Sequence, residues 1–376
     1  MSPPLDPHAV LTHLREQGVG YFTGVPDSVL ATFCTQLDTL APGEHVIAAN
    51  EGGAIGLALG DYLASARVPL VYLQSSGIGN AINPLLSLAS PEVYGIPMLL
   101  LIGWRGEPGR SDEPQHLPQG RVLRHLLEAC CVAHGVLDTP GERWRAQFTQ
   151  LLETAQHRQG PAAMIVPAGT FEKHSPPKAT SALPTREAAI DAVLGASADE
   201  TIMVASTGMA GRELFELRTR HGQDHGRDFY SVGGMGHASQ IALAIAVRQP
   251  GRQVLCLDGD GAALMHLGGL ATLASLAPPN LVHVVLNNGV HDSVGGQPTV
   301  AQDIDLVSVA AALGYRHAQR TESVETLSRA VSAGQARPGP CLIDARIGRG
   351  WRADLGRPTH SPQMQKCKLM RALGAD

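Results

Sequence analysis

Two apolar runs constrain this chain most, Val254–Leu257 and Leu281–Leu286, because each ends in a small polar cluster, Asp258-Gly259-Asp260-Gly261 after the first and Asn287-Asn288 after the second. A short apolar run bounded by turn residues reads as a strand buried on both faces, and two of them separated by a helix-length segment make a parallel β-α-β unit. Asp260 and Asn288, 28 positions apart, then stand at the carboxyl ends of two strands. That is where open α/β sheets bind ligands. A carboxylate and an amide oxygen are hard donors that suit Mg²⁺ carrying phosphate groups. Gly259 and Gly261 clear side chains from a backbone that must approach a diphosphate, and a helix starting near Ala262 offers it free N–H groups. Taken singly, an Asp-Gly turn and an Asn-Asn-Gly turn are also ordinary loop chemistry.

The same alternation extends through the chain. Strands are expected over Val68–Leu73, Met98–Gly103 and Thr201–Ala205, and helices over Ala54–Ala64, Arg121–Cys130 and Ala238–Val247. The pattern predicts an α/β fold with mostly parallel sheets flanked by helices. A length of 376 residues exceeds one ordinary core, so two domains are expected. The polar, proline-bearing segment 171–184 reads as the linker, dividing the chain into 1–170 and 185–376. Each half closes on Gly-Pro and an apolar strand, Gly160–Pro167 and Gly339–Ala345, which points to two similarly built domains.

A net charge of −5 with 17% charged residues supplies no basic field for nucleic acid, and no apolar run nears the ~20 residues that span a bilayer. Small molecules and other protein chains are the expected partners. The first residues carry neither a basic nor an apolar leader region, so a cytoplasmic location is expected. The six cysteines lack zinc or disulfide spacing, and most are expected to act as small core residues.

Further motifs add to the Gly-Asp-Gly and Asn-Asn pair: Thr23–Ser28, Asn50–Ala54, Ser76–Asn80, Asp112–His116, Gly234–Ser239, His291–Thr299 and Arg352–Pro358. With them the chain resembles the thiamine diphosphate (ThDP)-dependent 2-oxo acid decarboxylases, in their phosphonopyruvate decarboxylase branch, over nearly its full length. Gly-Asp-Gly marks only the ThDP superfamily; the blocks at 112–116 and 291–299 point to the branch. The resemblance implies the thiamin diphosphate-binding fold, with an aminopyrimidine-binding domain at 1–170 and a diphosphate-binding domain at 185–376. It also implies a homodimer or higher homo-oligomer with active sites between subunits.

The resemblance further implies Mg²⁺- and ThDP-dependent conversion of 3-phosphonopyruvate to phosphonoacetaldehyde and CO₂, in phosphonate natural-product (antibiotic) biosynthesis. Glu51 matches the glutamate that hydrogen-bonds a ring nitrogen of the cofactor aminopyrimidine; a helix-terminal charge is its other reading. Gly233 and Met235 match a backbone carbonyl and an apolar side chain that hold the cofactor, and Thr207-Gly208 is expected at the diphosphate. Asp260, Asn288 and the Val290 carbonyl are the implied metal ligands. Asp27, Ser28, His116 and His291 are the polar candidates at the substrate, with Asp27 suited to proton transfer or orientation. Arg105, Arg110, Arg352 and Arg357 are the cations available for its anionic groups.

Ser75 stands where the family has asparagine and Asp292 where it has glutamate, and the paired histidines of pyruvate decarboxylases are absent. Three rivals are weighed. Sulfopyruvate decarboxylase has similar motifs, but its two domains usually occupy separate chains. A nicotinamide-dependent dehydrogenase would need a Gly-x-Gly-x-x-Gly with an acid about 20 residues on, which is not evident. A non-catalytic ThDP-binding paralogue would need Glu51 or the metal pair to be broken, and both are present.

Overall fold

The apolar runs become the inner strands of two sheets in a computed structural model that describes residues 4–137, 143–172 and 181–375. The first sheet contains β1 (Phe22–Gly24), β2 (His45–Ile47), β3 (Leu70–Gln74), β4 (Met98–Trp104), β5 (Ala133–Val136) and β6 (Pro161–Pro167). The second contains β7 (Ile202–Ala205), β8 (Asp228–Tyr230), β9 (Val254–Gly259), β10 (Leu281–Asn287), β11 (His317–Thr321) and β12 (Cys341–Arg346). All pairings in both sheets are parallel.

The strand orders are β2-β1-β3-β4-β6-β5 and, read from its other edge, β8-β7-β9-β10-β12-β11. The two sheets therefore share one topology, as the repeated Gly-Pro strand suggested. In each, the order reverses between the first and third strands, which is the crevice-forming switch point of an open parallel sheet. Two compact units hold these sheets: Met1–Pro176 with His291–Pro298, and Pro177–Val290 with Thr299–Asp376. Residues 173–180 of the expected linker lie outside the described residues.

Parallel sheets must be covered on both faces, which is why β4 and β10 are buried from end to end. One face of the first sheet packs on helices Pro7–Glu16, Ala31–Leu37 and Arg143–Arg158 through Leu14, Phe33 and Phe148; the other packs on Glu51–Ser65 and His116–Ala129 through Ile55 and Leu123. The second sheet repeats this plan, with Ile190, Leu214 and Val331 on one face and Ala242, Leu273 and Ala310 on the other. Among the described residues, no helix is long and apolar enough to cross a membrane.

Some expected boundaries move. Helix Glu51–Ser65 starts three residues before the expected Ala54, because Asn50 caps it by accepting from the Gly53 amide at 2.8 Å. The helix expected from Arg121 begins at His116, and the one expected near Ala262 begins at Asp260 and lasts six residues. Only Cys34, Cys256 and Cys341 are buried; Cys131 and Cys367 are exposed and Cys130 is intermediate, so half rather than most of the cysteines are core residues.

Leu101 is fully buried at the middle of β4. Leu101→Ala is expected to cost about 2–5 kcal/mol, because the cavity between the sheet and its helices cannot fully collapse. A lowered thermal midpoint checks this.

Candidate active site

In the first unit, the carboxyl ends of four neighbouring strands carry the candidate chemistry. Glu51 follows β2, Asp27 follows β1, Ser75 to Gly77 follow β3 and Arg105 follows β4. The Glu51 carboxylate is buried, with Oε2 accepting from Asn80 Nδ2 at 2.7 Å. Gly77 makes the space for it, since a Cβ there would lie 2.2 Å from Glu51 Oε1. Burial raises the Glu51 pKa, partly opposed by the Asn80 hydrogen bond. A carboxyl so placed binds its proton more tightly than an exposed glutamate and can hydrogen-bond a ligand ring nitrogen.

Asp27 is fully buried. Its Oδ2 accepts from the Val29 and Leu30 amides at 3.1 and 3.3 Å, while Oδ1 has no partner. Gly103 gives it room, because a Cβ there would sit 1.7 Å from Oδ2. Burial pushes Asp27 up to about 7, against the lowering pull of the two amides and of Arg105. Arg105 is braced rather than free: Asp112 takes its Nε and Nη2 at 2.9 and 2.5 Å, and Nη1 donates to Ser28 Oγ at 2.9 Å. Burial works against the Asp112 carboxylate, yet this pairing holds it well below the usual range. Ser75, the departure from the family pattern, ties β3 to β4: its Oγ donates to the Arg105 carbonyl at 3.1 Å and lies 3.2 Å from the Arg105 amide.

His116 opens its helix half-buried, with a buried Nδ1 that lacks a partner; burial and the Arg105 cation lower its pKa. His291 belongs to the His291–Pro298 segment of this unit, and burial pushes its imidazole down to about 4. Both imidazoles are neutral at pH 7. Two of the expected anion receptors are committed elsewhere: Arg110 pairs with Glu107 at 2.8 Å, and Arg352 is held by Glu187, Glu216 and Asp354.

In the second unit the same edge gathers a second group. Gly259 is the last residue of β9, with Asp260 just beyond it, and Asn288 lies just beyond β10, its neighbour in the sheet. Asp260 is buried and raised to about 6 by that burial, while Thr299 Oγ1, donating to its Oδ2 at 2.5 Å, opposes the shift. Asn288 is buried and its Oδ1 accepts from the Val290 amide at 3.1 Å. Gly261 and Ala262 occupy the first turn of the helix after β9. Behind them, buried Asp258 accepts from the Gly259 amide at 3.0 Å and lies 3.3 Å from His283 Nε2.

Gly208, with φ +97°, caps the 12-residue helix Met209–Arg220, whose first amides open onto this edge beside β7. Thr207 Oγ1 donates to the Val232 carbonyl at 3.0 Å and so joins the loops after β7 and β8. The second of those loops carries Gly233 and half-buried Met235, and at Gly236 it passes so near the Asp260 helix that a Cβ would meet the Ala262 carbonyl at 3.1 Å. A row of backbone amides, one buried carboxylate and one amide oxygen is the chemistry of a phosphate and cation site.

Comparison with known proteins decides which one. The family description "Thiamine pyrophosphate enzyme, N-terminal TPP binding domain" matches residues 7–127, and its C-terminal TPP binding domain counterpart matches residues 206–345. The phosphonopyruvate decarboxylase of Streptomyces hygroscopicus is 36% identical over 370 residues, covering 94% of this chain and 90% of the relative. The chain belongs to this family of thiamine diphosphate-dependent decarboxylases. The phosphonopyruvate decarboxylase of Streptomyces viridochromogenes is 35% identical, covering 92% of this chain and 89% of the relative. A sulfopyruvate decarboxylase of Methanosarcina acetivorans is 30% identical over 301 residues, 73% of this chain and 74% of the relative.

For this decarboxylase, sequence reasoning passed over Asn80, Gly77, Gly103 and Thr299 as site residues. Asn80, Gly77 and Thr299 stand inside motifs that carry the resemblance, but only distance reveals what each one touches.

Asp27 sets a pH test. Its folded pKa near 7 lies above the unfolded value near 4, so the folded protein binds the extra proton and loses stability as pH rises through that window. Asp27→Asn removes the titration, and its amide nitrogen can replace the unpartnered oxygen. The variant's thermal midpoint relative to the parent is expected to rise between pH 5 and pH 8; a constant difference contradicts it.

Proposed function

We propose that the chain decarboxylates 3-phosphonopyruvate to phosphonoacetaldehyde and CO₂, using ThDP and Mg²⁺. The observation that carries the chemistry is Glu51: a buried carboxylate with Asn80 on one oxygen and a raised pKa, able to hold the cofactor aminopyrimidine by a shared proton. The substrate rests on the two Streptomyces relatives, alike in length and in sequence.

The residues of the second unit fit the cofactor's anionic end. The backbone of Thr207, Gly208, Gly259, Gly261 and Ala262 would receive the diphosphate, while the Gly233 carbonyl and the Met235 side chain would hold the body of the cofactor. Asp260 and Asn288 would bind Mg²⁺, a cation that would also draw the Asp260 carboxyl down from about 6. The Gly289 carbonyl already accepts from the Thr299 amide at 2.9 Å, which favours the Val290 carbonyl as the backbone ligand. When bound, the thiazolium supplies an electron sink for the negative charge left as CO₂ departs. Asp27, with a pKa near 7, would deliver or remove a proton at the reacting carbon, and neutral His116 and His291 would orient the substrate by hydrogen bonds.

A second reading keeps the fold and cofactor and changes the anion. The Methanosarcina sulfopyruvate decarboxylase aligns over more of this chain than either unit alone supplies, so joining both halves in one chain does not exclude sulfopyruvate. Parallel assays of CO₂ release from phosphonopyruvate, sulfopyruvate and pyruvate separate the readings. Phosphonopyruvate is expected to lead in kcat/KM by at least about tenfold; a lead by sulfopyruvate reverses the assignment. Glu51→Gln is expected to lose turnover by about 100-fold or more while still binding ThDP.

The chain is further proposed to work as a homodimer or larger homo-oligomer in which the first unit of one subunit serves the second unit of its partner. Mixing Glu51→Gln with Asp260→Ala subunits tests this. Shared sites restore roughly a quarter of the parent activity at random assortment; sites confined to one subunit restore none.

A further inference from the structure

Behind the turn at 288–290, four side chains of the second unit close a ring of three hydrogen bonds and one ion pair. Asn287 Nδ2 donates to Asp344 Oδ1 at 2.9 Å, and Asp344 Oδ2 forms an ion pair with Arg346 Nε at 3.2 Å. Arg346 Nη1 donates to Gln302 Oε1 at 2.6 Å, and Gln302 Nε2 returns to Asn287 Oδ1 at 3.2 Å. Strand register creates the arrangement, since Asn287 on β10 lies opposite Arg346 on β12, and Asp344 sits two residues earlier on the same face. Arg320, opposite Asp344 on β11, adds its Nε to Asp344 Oδ2 at 3.0 Å.

Asn287 and Asp344 are fully buried. Buried ionic groups of this kind seldom add net stability over packed apolar residues, so a geometric role is the better account of their presence. The geometry they set is the end of β10, one residue before Asn288. Gln302 extends the ring to the turn itself: a Cβ on Gly289, which has φ +71°, would come within 2.5 Å of Gln302 Cγ. Three residues before Gln302, Thr299 binds both Asp260 Oδ2 and the Gly289 carbonyl. One short segment, 299–302, therefore touches Asp260 and both chain neighbours of Asn288, Asn287 and Gly289.

We propose that Asn287, Asp344, Arg346 and Gln302 are positioning residues that present Asn288 and the Val290 carbonyl to the cofactor's divalent cation. This rests on the reading of 288–290 as the metal turn. The ring then governs metal-dependent cofactor affinity more than the fold.

Gln302 lies at the exposed rim, so Gln302→Ala opens the ring and leaves the buried Asn287–Asp344–Arg346 contacts in place. The experiment is ThDP binding by calorimetry across a Mg²⁺ series on the full chain, with the thermal midpoint measured without cofactor. Expected are an unchanged midpoint, an approximately tenfold weaker ThDP affinity at limiting Mg²⁺ and near-parental affinity at saturating Mg²⁺. Parental affinity at every Mg²⁺ concentration overturns the proposal, as does a lowered midpoint with no Mg²⁺-dependent change. Asn288→Ala separates the two levels. If it leaves the Mg²⁺ dependence intact, the metal turn itself is misread; if it abolishes that dependence while Gln302→Ala changes nothing, only the ring fails.

Discussion

Parallel pairing brings the carboxyl ends of all strands to one edge, and both sheets of this chain depend on that constraint. Antiparallel order would scatter the residues after β1, β2, β3 and β4 to opposite edges; parallel order sets Asp27, Glu51, Gly77 and Arg105 in one row. The second sheet does the same for Gly208, Gly233, Asp260 and Asn288. Because the strand order reverses between neighbours in both sheets, the loops on either side of the reversal turn opposite ways and leave a crevice. The repeated topology therefore yields two ligand-handling edges from one folding plan.

Buried carboxylates are treated in two ways in this chain, and Asp260 at the second edge, raised by burial, goes with those of the first. In the first unit, Glu51 and Asp27 are each pressed against a glycine, Gly77 or Gly103, where even a methyl group would collide with a carboxylate oxygen. Their partners are few, Asn80 for one and two backbone amides for the other, so burial dominates and both pKa values rise. In the second unit, Asp344 has two guanidinium groups and an amide. Under-satisfied carboxyls suit proton exchange, while the saturated one suits the holding of a shape.

Much of this was legible in the sequence where a segment was apolar on both faces. β4, β9 and β10 announce themselves because parallel inner strands cannot carry polar side chains on either face without a partner. The edge strands do not: β2 is three residues and only half-buried, and β11 includes exposed Gln319 and Arg320. At the site, Asp260 and Asn288 were readable because a polar residue directly after a strand has a fixed address, whereas Glu51 was readable only through the motif that carries the resemblance. Asn80 lies 29 positions from Glu51, and Thr299 lies 39 from Asp260. No local pattern encodes such pairings; they follow from which strands become neighbours.

The arginines show the same limit from the other side. As a sequence, Arg105 and Arg352 are cations near suggestive motifs, equally available to an anionic substrate. In the fold, Arg352 meets three carboxylates and Arg105 spends two nitrogens on Asp112. Arg105 still matters, because its third nitrogen and its charge reach Ser28 and Asp27. A larger desolvation penalty is opposed first by the Val29 amide and then by Arg105 and the neighbouring amides, and the balance leaves Asp27 near 7. A cation that a motif would assign to the substrate thus acts on a neighbouring acid, helping the backbone amides hold it in the range where it can both give and accept a proton.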